Sequence, residues 1–100
     1  MEKINQKKLK KLLQKNNVLF VDMRSPIDFR DGHIEGSVNL PLRNFTNKLM
    51  GLPRNHIVIA YSTNFKDTDL VQGMNYAIQL GFEKLYIGEF GTLNSWIKLF

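Results

Sequence analysis

The residues able to do chemistry gather in two short stretches. One runs from Asp22 to Ser25, with Asp28 and His33 close behind; the other holds Ser62, Thr63, Asn64, Phe65, Lys66, Asp67, Thr68 and Asp69. A serine or threonine hydroxyl is a weak nucleophile at neutral pH and needs an adjacent base, usually a histidine. The two histidines make poor bases on sequence grounds. His33, between Gly32 and Ile34, reads as a structural imidazole bonded to backbone or carboxylate, and His56 stands just before an apolar run and so far from that run's other end. In the second stretch Lys66 is outweighed by Asp67 and Asp69, whereas an oxyanion substrate calls for cationic partners. The chain has no cysteine, which removes disulfides, thiolate metal ligands and thiol nucleophiles together. Neither a cofactor nor a metal is expected.

The elements that must position these residues follow from apolar patterning. Val18 to Val21 and Ile57 to Tyr61 are continuous apolar runs, as strands covered on both faces are in parallel sheets. Leu85 to Ile87 suggests a third strand, and Val38 with its neighbours a short fourth. Leu9, Leu12 and Leu13 mark one helix. Phe45, Leu49 and Met50 mark a second that stops before Pro53, and Leu70, Val71, Met74, Ala77 and Ile78 a third. Asp67 or Thr68 can cap the third helix at its start and Gly81 at its end. A last helix is expected from near Thr92, burying Leu93, Trp96 and Ile97. Alternating strands and helices imply an α/β fold with a central, mostly parallel sheet and helices on both faces. Ligands of such sheets bind beyond the carboxyl ends of the strands, where both polar stretches lie.

Bulk properties narrow the class. A chain of 100 residues fits one domain spanning residues 1–100. No stretch approaches the roughly 20 apolar residues of a membrane span, and the basic N-terminus lacks the apolar segment of a signal peptide, so a cytoplasmic location is expected. The formal charge of +5 is unevenly spread: Lys3, Lys7, Lys8, Lys10, Lys11 and Lys15 lie in the first fifteen positions, and the other eight basic residues face nine acids. These lysines read as the solvated face of the first helix. No aromatic residue interleaves with them, which argues against a base-stacking platform.

The run Val21, Asp22, Met23, Arg24, Ser25, Pro26, then Asp28 and Phe29, then Gly32 through Pro41, resembles the N-terminal signature of rhodanese-like domains, roughly D-V-R-x-x-x-E-[FY]-x-x-G-H-I-x-G-A-x-N-[IL]-P. Asp28 replaces the usual Glu, and Ser37 the usual Ala. Leu80, Gly81, Phe82, Leu85 and Tyr86 resemble the later L-x-x-G-F-x-x-V-Y segment, and Gly91 with Trp96 the G-G-x-x-x-W ending, with Thr92 for the second glycine. The resemblance extends from about Ile4 to Phe100. It implies a rhodanese-like fold in which Asp22, Arg24, Asp28, His33 and Gly36 are structural signature positions. It also implies that the loop from Tyr61 to Thr68 corresponds to the sulfurtransferase site, whose cysteine is missing here; Tyr61 and Ser62 are both open as its replacement.

Three readings follow. The favoured one is a non-catalytic binding or regulatory module whose partner is another protein, with Phe65 as a contact or folded back on the core. The alternatives are an unrecognised enzyme using Ser62, Thr63 or Asp67, and a basic adaptor that binds anionic partners through the N-terminal helix. Nothing in the pattern of residues speaks strongly for nucleic acid or membrane.

Overall fold

In the computed structural model, which describes residues 1–98, the apolar runs become the middle of a parallel sheet. The chain order is β1 (Glu2–Lys3), α1 (Gln6–Leu12), β2 (Val18–Asp22), α2 (Pro26–Asp31) and β3 (Val38–Asn39). It continues with α3 (Leu42–Met50), β4 (Ile57–Ser62), α4 (Thr68–Gln79), β5 (Leu85–Glu89) and α5 (Phe90–Ile97). The five strands lie in the order β1-β5-β4-β2-β3, and every neighbouring pair is parallel. Positions 99 and 100 of the expected span lie outside the described residues.

Side chains alternate across a strand, so β4 feeds both layers. Val58 and Ala60 pack with Phe45 and Leu49 of α3 and Leu70, Met74 and Ala77 of α4, alongside Met23. Ile57, Ile59 and Tyr61 pack on the opposite face with Leu9 and Leu12 of α1 and Leu93 of α5. Up to their polar last residues, Asp22 and Ser62, β2 and β4 are apolar because both faces are covered.

Four details depart from expectation. Strand β1 is an addition, two exposed polar residues pairing with Tyr86 and Ile87 through backbone alone. Helix α5 starts at Phe90 rather than Thr92, and of its three expected core residues only Leu93 is fully buried. In α4, Val71 and Ile78 are exposed, because the buried face is the narrower Leu70, Met74 and Ala77 row. Met50, at the end of α3, also faces solvent. The α4 terminus does follow the sequence signal: Gly81 has φ +97°, the Phe82 N–H donates to Ala77 O and the Gly81 N–H to Ile78 O. This is a Schellman cap, which needs a left-handed residue where glycine alone has no steric penalty.

Leu9 is fully buried against the sheet, whereas Lys11 on the same helix is exposed. Leu9→Ala is therefore expected to destabilise the fold by about 2 to 5 kcal/mol. Lys11→Gln should move stability by no more than about 0.5 kcal/mol. Equal urea midpoints for the two variants would contradict the packing role of α1.

Candidate functional site

Strands β2 and β4 end side by side, Asp22 opposite Tyr61, so the two polar stretches emerge at the same end of the sheet. After β2 the chain turns under the control of one carboxylate. Asp22 is fully buried; its Oδ1 accepts from the Arg24 backbone N–H at 2.8 Å, and Arg24 Nη2 donates to Oδ2 at 2.8 Å while Nε lies 3.1 Å from both oxygens. Nη2 also donates to Gly32 O at 2.6 Å, and the guanidinium carbon lies over the Phe90 ring, 3.9 Å from its centroid. Burial works to lower the Arg24 pKa, but the hydrogen bond and charge of Asp22 outweigh it and leave it raised. Asn39 closes the turn, its Nδ2 donating to the carbonyls of Asp22 and Arg24 at 3.1 and 2.9 Å.

Of the signature positions Asp22, Arg24 and Asp28, which could form a charge network near His33, Asp22 and Arg24 make an ion pair. Asp28 is exposed on α2, its carboxylate joins no ion pair among the described residues, and it acts on Arg24 through longer-range charge. Its backbone N–H instead donates to the hydroxyl oxygen of the N-cap Ser25, because α2 begins at Pro26 and needs that cap. His33 is exposed, stacks on Phe29 at 3.6 Å between centroids and places Nδ1 2.8 Å from Phe29 O. A carbonyl only accepts, so Nδ1 carries the proton.

Gly36 has φ +91°, a conformation that explains glycine at this signature position. Beside it lies a ring of hydrogen bonds that sequence reading missed. The Ser37 hydroxyl donates to Ile34 O at 2.6 Å and the Ile34 N–H donates to the Tyr61 phenol oxygen at 3.0 Å. Ser37 has one proton to give, so Tyr61 O–H donates to Ser37 Oγ, 2.9 Å away. The departure of Ser37 from alanine was the available signal. Burial pushes the Tyr61 pKa up to about 12, against opposing hydrogen bonds from Ser37 and Ile34. A group whose folded pKa lies above its unfolded value stabilises the fold at lower pH. That contribution should be whole below about pH 10 and fade between about 10 and 12, on the order of 2 to 3 kcal/mol. In denaturant melts across this range Tyr61→Phe should lose less stability than wild type; parallel losses would rule the phenol out as the cause.

The second stretch is wired to itself. Ser62 ends β4 fully buried, and its hydroxyl donates to Asp67 Oδ2 at 2.5 Å. Asp67 is the N-cap of α4, its Oδ1 accepting from the Asp69 N–H at 2.9 Å. The Lys66 N–H donates to Asn64 Oδ1, the Asp67 N–H to Asn64 O and the Phe65 N–H to Glu89 Oε2. Phe65 folds back onto the core, with Lys3 Nζ 4.5 Å from its ring centroid. Thr63 and Thr68 are exposed. Glu89 was missed because it is separated from the loop by the whole of α4. His56 stands before the first residue of β4, at the other end of the strand from Ser62. Among the described residues no three His, Cys, Asp or Glu side chains are grouped to hold a metal ion, and no helix is long and apolar enough to cross a membrane.

The family model described as "Rhodanese-like domain" matches residues 5–97. No curated protein sequence matches the chain. Among solved structures, a rhodanese-related protein of Thermoplasma volcanium superposes with TM-score 0.71 at 22% identity, over 99% of this chain and 93% of that one. The Anabaena protein that carries a rhodanese-like domain gives TM-score 0.71 and 22% identity, over 99% and 86%. A human single-domain sulfurtransferase gives TM-score 0.71 and 18% identity, over 96% and 95%. At these identities the structural likeness establishes the fold.

Proposed function

We propose that this chain, which belongs to the rhodanese-like domain family, transfers no sulfur and acts as a binding or regulatory domain for another protein. The observation that carries this reading is the absence of cysteine from the chain. Sulfur transfer in the family runs through a thiolate that takes sulfane sulfur from a donor and holds it as a persulfide, and a hydroxyl cannot carry that sulfur.

Ser62 takes the place of the lost nucleophile. It ends the central strand and leads into the loop before α4, whereas Tyr61 is committed to the core and to its ring of hydrogen bonds. The rest of the loop supports loss of catalysis. A rhodanese site presents backbone N–H groups to an anionic sulfur; here those of Phe65, Lys66, Asp67 and Asp69 are taken up by the chain's own oxygens. The positive end of α4, which would draw an external anion, faces the Asp67 carboxylate instead. A serine-based enzyme has little support: the Ser62 hydroxyl is buried on a carboxylate, His33 is held by Phe29 and His56 lies at the far end of β4. Cyanide-dependent formation of thiocyanate from thiosulfate by the purified protein tests the reading.

A further inference from the structure

Helix α1 lies along one margin of the sheet with its leucines turned inward, and its outer side borders two adjoining hollows of about 220 Å³ each. Lys8 and Lys11 line both, so the hollows form one trough along the helix. Lys15 and Lys84 complete the rim of one and Lys7 lines the other. The floor is apolar, made by Leu12, Ile57 and Tyr86. Among the described residues no carboxylate lines either hollow and no ion pair involves these five lysines. Glu2 and Glu83 line a separate hollow that Tyr86 also borders. Lys8 and Lys11, three residues apart on α1, share one side of the helix, and Lys15 follows just beyond its end, so their mutual repulsion costs stability unless an anion offsets it.

We infer that this trough is a docking site for an acidic protein segment that places an apolar side chain among its carboxylates. The inference rests on the reading of the chain as a binding domain and names the partner's chemistry. Apolar floor and cationic rim match such a segment in both respects: carboxylates meet Lys7, Lys8, Lys11, Lys15 and Lys84, and the apolar side chain packs on the half-buried Tyr86 ring and the lysine stems, above the buried Leu12 and Ile57. A membrane surface fits less well, because an interfacial helix sinks an apolar face into lipid and the leucines of α1 are already buried. Single-stranded nucleic acid fits less well too. It needs successive stacking surfaces, and among the described residues Tyr86 is the one aromatic in the trough, half-buried with Lys8 Nζ 5.2 Å from its ring centroid.

The test is fluorescence anisotropy with a fluorescein-labelled peptide, Glu-Glu-Leu-Glu-Glu-Phe-Glu-Glu, titrated with the intact protein. Saturable binding that weakens as salt rises is expected. The triple variant Lys8→Gln/Lys11→Gln/Lys15→Gln should bind about tenfold more weakly or worse, with a urea midpoint no lower than that of wild type. Lys48→Gln, on α3 across the sheet, should bind as wild type does. Replacing the leucine and phenylalanine of the peptide by serine should also weaken it. The inference is overturned if the peptide does not saturate, if the triple variant binds equally well, or if oligothymidylate or phosphatidylserine vesicles bind more tightly than the peptide. Thiocyanate formation in the same preparation tests the other reading separately: failure of the peptide with no turnover removes the trough and keeps the non-catalytic domain, and saturable peptide binding with turnover does the reverse.

Discussion

Purified protein incubated with thiosulfate and cyanide is expected to form no thiocyanate above the uncatalysed background. The chain has no thiol to attack the donor, so no shift of alignment or neighbouring residue supplies one. Ser62→Ala should be indistinguishable from wild type in this assay. Ser62→Cys should yield a trace at most, for two physical reasons. The position is fully buried, so donor and acceptor cannot reach the sulfur, and a carboxylate oxygen lies 2.5 Å from the atom that the sulfur would replace. A negative neighbour disfavours the thiolate, which is the reactive form. Adding Asp67→Asn should raise whatever activity Ser62→Cys has, since asparagine keeps an N-cap oxygen while removing the charge. Clear wild-type turnover that Ser62→Ala abolishes would sink the non-catalytic reading.

The second large effect belongs to Arg24. Its Asp22 partner has no exposed surface and the guanidinium side chain is 9% exposed, so the pair is buried rather than decorative. Breaking such a pair from one side leaves a carboxylate without its cation, and the expected cost of Arg24→Met is about 3 to 5 kcal/mol. Methionine keeps apolar contact with Phe90, so the loss should come chiefly from charge and hydrogen bonding. The double variant Asp22→Asn/Arg24→Met should recover a substantial part, because the stranded charge is gone. Chemical denaturation of the three proteins is the check. A midpoint for Arg24→Met within error of wild type would show that the pair adds nothing, and a double variant worse than the single would show that charge is not the issue.

The sheet was legible because its strands are buried on both faces: Val18 to Val21 and Ile57 to Tyr61 have no polar residue to confuse the reading. Element ends were less legible for the same reason inverted. Ser62 and Glu89 extend β4 and β5, yet polar residues at strand ends look like loop, and β1 is paired through backbone with no apolar pattern at all. Helix α5 has no side-chain cap, so its start carried no signal. At the candidate site, spacing was enough to bring Asp22 to Arg24, because an Asp two residues before Arg at a strand end can turn back on it. It was not enough to tell Asp28 from a participant, since the turn of α2 directs that side chain to water. Contacts such as Phe65 N–H to Glu89 and Tyr61 to Ser37 join residues 24 apart and depend on which strands become neighbours.

A protein without thiols still contains sulfur, and its four methionines divide by depth. Met1 and Met50 stand in solvent, whereas Met23 and Met74 lie in the layer between the sheet and helices α3 and α4. Peroxide converts an accessible thioether to a sulfoxide and must wait for an opening to reach a sealed one. Mild oxidation therefore sorts the four into an outer pair that gains oxygen at once and an inner pair that gains it only as fast as the helices lift from the sheet. With no cysteine competing for the oxidant, mass added at the inner pair becomes a built-in clock for how often this domain opens.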